Sequence, residues 1–292
     1  MIEKIAFIGG DLRMPQAASY AKKNKIRVSL YGFDKYEYCW ECFGIEQETE
    51  LDTALLGSDA VVLGLPFSSD NKFIYSPYSS QEIHIDDIFS LLKGREIIFC
   101  GKASKELIEK ALKQNIEVYD YFLREELTIK NAMITAEGAI QTAMSETAFT
   151  INGSKCLVMG YGRIGKMLSN LLQKLGADVT CSARKESDLA LIECNGLKPI
   201  RTIELNDELT DFDIIFNTIP NCILTYDKLS KIRCDTTIID LASKPGGVDF
   251  SGAKKLGLKA IWATSLPGKV APITSGKIIS DTIFNIIREI GR

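Results

Sequence analysis

Histidine is nearly missing from this chain. Of 292 residues one is histidine, His84, and two are tryptophan. The eight cysteines are scattered, and Cys39-Trp40-Glu41-Cys42 holds the only close pair. No second pair and no neighbouring histidine completes that half-site. No metal site is therefore expected, and the cysteines read as reduced thiols, several buried as small apolar residues. Strong charge of one sign is also absent. A net charge of −3 gives no electrostatic footprint for nucleic acid or an anionic membrane. No apolar run approaches the ~20 residues of a membrane span. Met1-Ile2-Glu3-Lys4-Ile5 carries an early acid and leads straight into a strand pattern, which is not a signal peptide; a cytoplasmic location is expected. What is present is a chain 46% hydrophobic and 25% charged, long enough to bury the cores of two domains.

Cys156-Leu157-Val158-Met159-Gly160-Tyr161-Gly162-Arg163-Ile164-Gly165 reads as a buried strand, a tight turn and the first turn of a helix. Gly160, Gly162 and Gly165 stand in the G-x-G-x-x-G spacing. Gly160 permits the sharp turn, Gly162 lets a pyrophosphate approach the backbone, and Gly165 lets the helix pack against the strand. The helix N-terminus, with Arg163 and Ile164 in its first turn, offers N–H groups and a positive dipole end to phosphates. An amphipathic run from Met167 to Leu175, Gly176, and a second strand Val179-Thr180-Cys181 supply the context that a dinucleotide fingerprint requires.

The remainder alternates strand and helix. Lys4–Ile8, Ile26–Tyr31, Asp59–Leu65, Glu96–Cys100 and Ile116–Tyr119 read as strands of a first parallel sheet. Helices are expected from near Pro15 to Lys23, over Glu50–Leu56 and Ile85–Leu92, and from a Ser104 cap to Gln114. Ser68–Gln81 is rich in Ser, Asn, Tyr and Pro and reads as a long loop near a site. From Glu125 to Phe149 small residues recur at helical spacing, which predicts a long helix bridging two domains, with a break at Gly138 left open. Strands at Lys198–Arg201, Phe212–Asn217, Thr237–Asp240 and Leu258–Trp262 continue the second sheet, and Thr274–Arg288 is a final amphipathic helix. The expected architecture is α/β: two parallel-sheet α/β domains, the second a Rossmann dinucleotide-binding fold, with an interdomain cleft. The expected boundaries are 1–125 for a substrate-side domain and 126–151 for an interdomain helix. The dinucleotide domain follows over 152–271, with a C-terminal helix over 272–292 that could pack back on the first domain.

Cofactor choice is read at the end of the second strand of that domain. A NAD site usually has Asp or Glu there. Here stand Cys181-Ser182-Ala183-Arg184-Lys185. No acid repels a 2′-phosphate, Arg184 and Lys185 are cationic, and Ser182 adds a hydroxyl, so NADP is favoured. The plainer alternative is a solvated basic turn. Ligands of parallel sheets bind beyond the strands' carboxyl ends. That places Asn217, Thr218 and Pro220 among the candidate cofactor contacts, unless Asn217 and Thr218 only cap their loop. Asp240-Leu241-Ala242-Ser243-Lys244 ends the neighbouring strand, and its polar groups too are expected to lie in the cleft.

Five stretches occur in order: Gly9-Gly10-Asp11-Leu12-Arg13, Ala136-Glu137-Gly138-Ala139-Ile140, Gly160–Gly165, Asp240–Asp249 and Leu266-Pro267-Gly268-Lys269-Val270-Ala271-Pro272. Together they closely resemble the A subunits of the dipicolinate synthases of endospore-forming bacteria, over nearly the whole chain. The second half is also similar to the cofactor domain of D-2-hydroxyacid dehydrogenases. The resemblance implies an NADP-dependent oxidoreductase that forms pyridine-2,6-dicarboxylate from 4-hydroxy-tetrahydrodipicolinate during sporulation, in the mother cell. The partner it implies is the flavoprotein-like B subunit of dipicolinate synthase; a homo-oligomer stays open.

A dicarboxylate substrate needs cations. Arg13, beside Asp11 at a strand's carboxyl end, is one candidate; Lys244, with Ser243, and Lys269 are others. In the D-2-hydroxyacid dehydrogenases an arginine near the place of Ser243 and Lys244 holds the substrate carboxylate. This chain departs by offering a lysine, which binds as a point charge without the bidentate fork. That family also uses a histidine as general acid/base, and the second half here has none. The proton-transfer residues therefore stay unassigned. Two alternatives stand: another NADP-dependent dehydrogenase of the 2-hydroxyacid type, or a nucleotide-binding regulatory subunit without chemistry of its own.

Overall fold

The computed structural model describes residues 2–36, 45–205 and 207–292, so the Cys39 and Cys42 pair lies outside the described residues. The chain divides into two compact units, Met1–Lys130 with Ala271–Arg292, and Asn131–Val270. The first unit runs β1 (Lys4–Ile8), α1 (Arg13–Lys23), β2 (Arg27–Tyr31), β3 (Glu46–Gln47), α2 (Leu51–Leu55), β4 (Ala60–Leu63), α3 (Ile85–Leu91), β5 (Ile97–Cys100), α4 (Lys105–Lys113) and β6 (Glu117–Asp120). Its six strands lie in the order β3-β2-β1-β4-β5-β6, and the pairings are parallel. Every residue of β4 and β5 is buried, as expected for parallel strands covered on both faces by helices.

α4 begins as the sequence implies, with the Ser104 hydroxyl accepting from Leu107 N at 3.1 Å. Ser104→Ala removes that cap and is expected to lower stability by about 1 kcal/mol, read as a lower denaturant midpoint at unchanged slope.

α5 (Glu125–Glu146) begins in the first unit and ends in the second. The break that Gly138 left open does not occur: the helix is continuous over 22 residues. Gly138 is a packing position instead. A Cβ there would lie 3.1 Å from Leu266 and 3.2 Å from Val270, so glycine lets that segment seat on the helix.

The second unit holds β7 (Lys155–Met159), α6 (Arg163–Lys174), β8 (Asp178–Ala183), α7 (Glu186–Cys194), β9 (Lys198–Arg201), β10 (Ile214–Asn217), α8 (Tyr226–Leu229), β11 (Thr237–Asp240), α9 (Phe250–Lys255), β12 (Lys259–Trp262) and α10 (Leu266–Val270). Its order, β12-β11-β10-β7-β8-β9, is the same doubly wound order as in the first unit, read from the other edge. Burial pushes the Cys156 thiol up to about 11 and the Cys181 thiol up to about 12, so these core cysteines stay protonated near neutrality.

α11 (Pro272–Glu289) returns to the first unit and packs along α1. Gly276 makes the approach close: a Cβ there would lie 2.6 Å from Arg13 O and 2.9 Å from Ala17 N. Ala17, Ala18 and Ala21 give α1 the matching small face.

Candidate functional site

Two sheets of one topology give two turns at the place where dinucleotides bind, and the structure distinguishes them. In the first unit the turn after β1 is already filled. Gly10 N–H donates to Tyr75 O at 2.6 Å, and a Cβ on Gly9 would meet Ile74 at 2.8 Å. The segment 67–76 therefore lies on this turn and leaves no room for a pyrophosphate. It is the loop expected from composition over Ser68–Gln81, pinned by single bridges between Ser68 and Ile74 and between Phe73 and His84. His84 is exposed, with its ring 4.3 Å from that of Phe73.

In the second unit the turn after β7 is open. Gly160 has φ +93° and donates its N–H to Ser182 O at 3.1 Å, which turns the chain at the end of the strand. A Cβ on Gly165 would lie 2.0 Å from Gly160 O, so the helix and the turn touch backbone to backbone. At Gly162 a Cβ would meet nothing within 4 Å. Gly162 is also the cap residue of α6, and it supplies no side-chain hydrogen bond to the first turn. Three glycines thus build a cradle at a helix N-terminus, with open space where phosphates sit. Arg163 and Ile164 occupy that first turn. Tyr161 between the glycines is buried, its hydroxyl accepting from Asn195 Nδ2 at 3.1 Å.

Three expected site residues turn out to be buried, and a fourth, Asp11, is partly buried against one of them. Ser182 is fully buried, so it presents no hydroxyl to a 2′-phosphate. Its Oγ accepts from Thr202 at 3.3 Å and from Gly160 N at 3.4 Å, which braces the glycine turn against β8 and β9. Asn217 is fully buried as well. Its Nδ2 donates to Ile219 O at 3.0 Å and to Asp240 Oδ1 at 2.8 Å, and its Oδ1 accepts from Ile219 N at 3.2 Å. The amide is thus engaged inside the protein rather than offered to a cofactor. Arg13 and Asp11, expected as substrate contacts, close on each other instead. Arg13 Nε and Nη2 each lie 2.8 Å from an Asp11 carboxylate oxygen, and Nη2 also donates to Leu65 O. The Arg13 side chain is 6% exposed. A neutral pair of this kind, Arg13 buried and Asp11 partly so, does not offset the charge of an incoming dicarboxylate.

The other candidates sit at the surface of the second unit. Register pairs Met159 with Ser182, so Arg184 stands just past the end of β8, beside the Gly160–Gly162 turn. Arg184 and Lys185 are exposed. Arg184 makes no hydrogen bond or ion pair among the described residues. Thr218, half-buried, ties its Oγ1 to Met159 O at 2.8 Å, and Pro220 is exposed. Ser243 and Lys244 are exposed beyond β11, and Lys269 is exposed on α10.

Asp240, expected with its neighbours to offer a polar group to the ligand, is internal too. It ends β11 fully buried and accepts from Asn217 Nδ2, from Ala242 N at 3.0 Å and from Gly247 N at 2.7 Å. The signal was available: an acid closing an otherwise apolar strand must find donors nearby. Among the described residues no group of acids, cysteines and histidine is arranged to hold a metal. No helix among them is long and apolar enough to cross a membrane.

A doubly wound sheet with an open glycine cradle at a helix N-terminus defines the nucleotide-binding unit of a dehydrogenase-type protein. Comparison with known proteins agrees: residues 116–243 match the D-isomer specific 2-hydroxyacid dehydrogenase NAD binding domain. Residues 4–122 match the N-terminal domain of the dipicolinate synthase A subunit. The chain is 33% identical over 288 residues to the dipicolinate synthase A subunit of Bacillus subtilis (strain 168), covering 98% of this chain and 96% of that protein. The chain belongs to the family of dipicolinate synthase A subunits. The solved structure of the Bacillus halodurans A subunit superposes with a TM-score of 0.87 at 31% identity, covering 98% of this chain and 97% of that one. The solved structure of the Bacillus subtilis protein gives 0.85 at 33%, covering 99% and 97%.

Proposed function

We propose that this chain is an NADP-dependent oxidoreductase that forms pyridine-2,6-dicarboxylate from 4-hydroxy-tetrahydrodipicolinate. The observation that carries the reading is the open cradle at Gly162, in a chain that matches the dipicolinate synthase A-subunit family from end to end. Loss of water from the substrate, then of a hydride and a proton, leaves the aromatic ring; NADP⁺ when bound is the hydride acceptor. The chain's own residues hold the reactants. The α6 N-terminus binds the pyrophosphate, with Arg163 and Ile164 in contact. Arg184 and Lys185 bind the 2′-phosphate. Thr218 and Pro220 border the nicotinamide side, and Lys244, Ser243 and Lys269 bind substrate carboxylates.

The preference for NADP rests on Arg184. Arg184→Ala is expected to weaken NADP⁺ binding about 10–100-fold and to leave NAD⁺ binding unchanged, since one charge-assisted contact contributes ~1.5–3 kcal/mol. Calorimetric titration of both cofactors checks it; equal affinities of the wild-type chain for the two would remove the proposed specificity.

The activity itself is tested with the purified chain, NADP⁺ and freshly generated substrate, with and without the flavoprotein-like B subunit. Dipicolinate formed by the chain alone supports the reading. A second reading is a nucleotide-binding regulatory subunit. It is favoured by one fact, that the chain's one histidine, His84, lies in the first unit and leaves the second unit without an imidazole. NADP⁺ binding with no turnover unless the B subunit is present would establish that reading instead.

A further inference from the structure

β10 and β11 end side by side, with Asn217 paired in register to Asp240. Both side chains are fully buried, and they meet at 2.8 Å between Nδ2 and Oδ1. Beyond them the two chains diverge into two short segments, Thr218–Pro220 and Ser243–Pro245. The first carries proposed cofactor contacts and the second proposed substrate contacts.

The second segment is held from beneath at both ends. Ala242 N and Gly247 N, at either end of the turn, both donate to the Asp240 carboxylate, at 3.0 and 2.7 Å. Ala242 O accepts from Trp262 Nε1 at 2.9 Å. Gly246 N donates to Ser243 O at 2.9 Å, closing a turn with Lys244 and Pro245 at its tip. The glycines let the backbone come down onto the pair. A Cβ on Gly247 would fall 2.0 Å from Asn217 Nδ2, and Gly246 has φ +88°. The first segment is held by the same pair, because Asn217 Nδ2 also donates to Ile219 O at 3.0 Å.

Such a network does more than satisfy buried groups. Asp240 accepts three donors and Asn217 uses its amide on both sides, so any shift of one segment breaks bonds to the other. Lys244 makes no hydrogen bond or ion pair among the described residues. Its long, flexible stem fixes nothing by itself, and only the backbone beneath it sets where its ammonium points.

We infer that Asn217 and Asp240 form a positioning pair that locks the Ser243–Gly246 turn to the Thr218–Pro220 segment, and so presents Lys244 to a substrate carboxylate in register with the bound cofactor. The inference rests on the proposed dicarboxylate role of Lys244. Asp240 and Asn217 touch neither ligand; they act through the turn.

The test is calorimetry of pyridine-2,6-dicarboxylate with the intact chain saturated with NADP⁺, on wild type, Lys244→Ala, Asp240→Asn and the double variant. Asp240→Asn keeps the shape but replaces an acceptor oxygen with a donor that faces N–H groups. It is expected to weaken dicarboxylate binding about tenfold while the NADP⁺ Kd stays within about twofold. Lys244→Ala is expected to weaken it about tenfold or more, and adding Asp240→Asn to it is expected to change nothing further. Should Asp240→Asn not fold, Asn217→Ser, which cuts the link but leaves the carboxylate on its backbone donors, takes its place with the same expectation. Full additivity of the two substitutions overturns the inference while leaving the role of Lys244 intact. Wild-type affinity in Lys244→Ala overturns both.

Discussion

Gly162→Val is expected to weaken NADP⁺ binding by more than about 100-fold, because the new side chain occupies the space in which a pyrophosphate meets the α6 N-terminus. The fold should survive the change. Gly162 has φ −79° and ψ −162°, an extended conformation open to any residue. A Cβ there meets nothing within 4 Å. The remaining cost is that of a poor helix cap, about 1 kcal/mol, since valine at this position is less favourable than glycine. Gly165→Ala gives the contrast. Its Cβ would lie 2.0 Å from Gly160 O, so the helix must move away from the turn. That variant should lose stability and cofactor binding together, whereas Gly162→Val should lose binding alone. Thermal melting beside a cofactor titration separates the two. A Gly162→Val chain that titrates with NADP⁺ as wild type does would show that Gly162 does not face the phosphates.

The glycine cradle was legible because it depends on side chains that are absent: three positions, each needed for a backbone reason, leave a pattern in the sequence itself. The alternation of strands and helices was legible for a similar reason, since parallel strands covered on both faces are continuous apolar runs. What the sequence does not carry is which way a side chain faces at a strand's end. Ser182 and Asn217 stand where cofactor contacts are expected, yet both are fully buried. The inward orientation shows only in their partners, Thr202 and Asp240, 20 and 23 residues further along. Gly138 shows the same limit in a helix. Glycine lowers helix propensity, but here Leu266 and Val270, far along the chain, pack on it and the helix runs through. The first unit carries the same strand order as the second, and the contacts of Ile74 with Gly9 and of Tyr75 with Gly10 reveal that its turn is filled.

Arg13 is where the sequence and the structure point to opposite experiments. As a free cation at a strand's end it would bind substrate, and its loss would raise KM without touching the fold. In the structure its guanidinium holds both Asp11 oxygens and Leu65 O, with side-chain exposures of 6% for Arg13 and 17% for Asp11. Arg13→Ala therefore leaves a carboxylate of low exposure with, among the described residues, only the backbone N–H of residue 13, at 3.1 Å, and leaves Leu65 O without this donor. Breaking a buried pair by removing one partner costs about 3–5 kcal/mol, so a loss of that order in unfolding free energy is expected, read by denaturant titration. Removing both charges should be milder. Asp11→Ala with Arg13→Met deletes the stranded carboxylate and keeps apolar volume at position 13, so the double variant is expected to be more stable than Arg13→Ala alone. That ordering is the sign of an internal brace, because a substrate ligand would give no reason for a second substitution to restore stability. If Arg13→Ala instead unfolds at the wild-type midpoint and loses only dicarboxylate binding, the pair opens to receive substrate, and Arg13 acts as a substrate-binding cation.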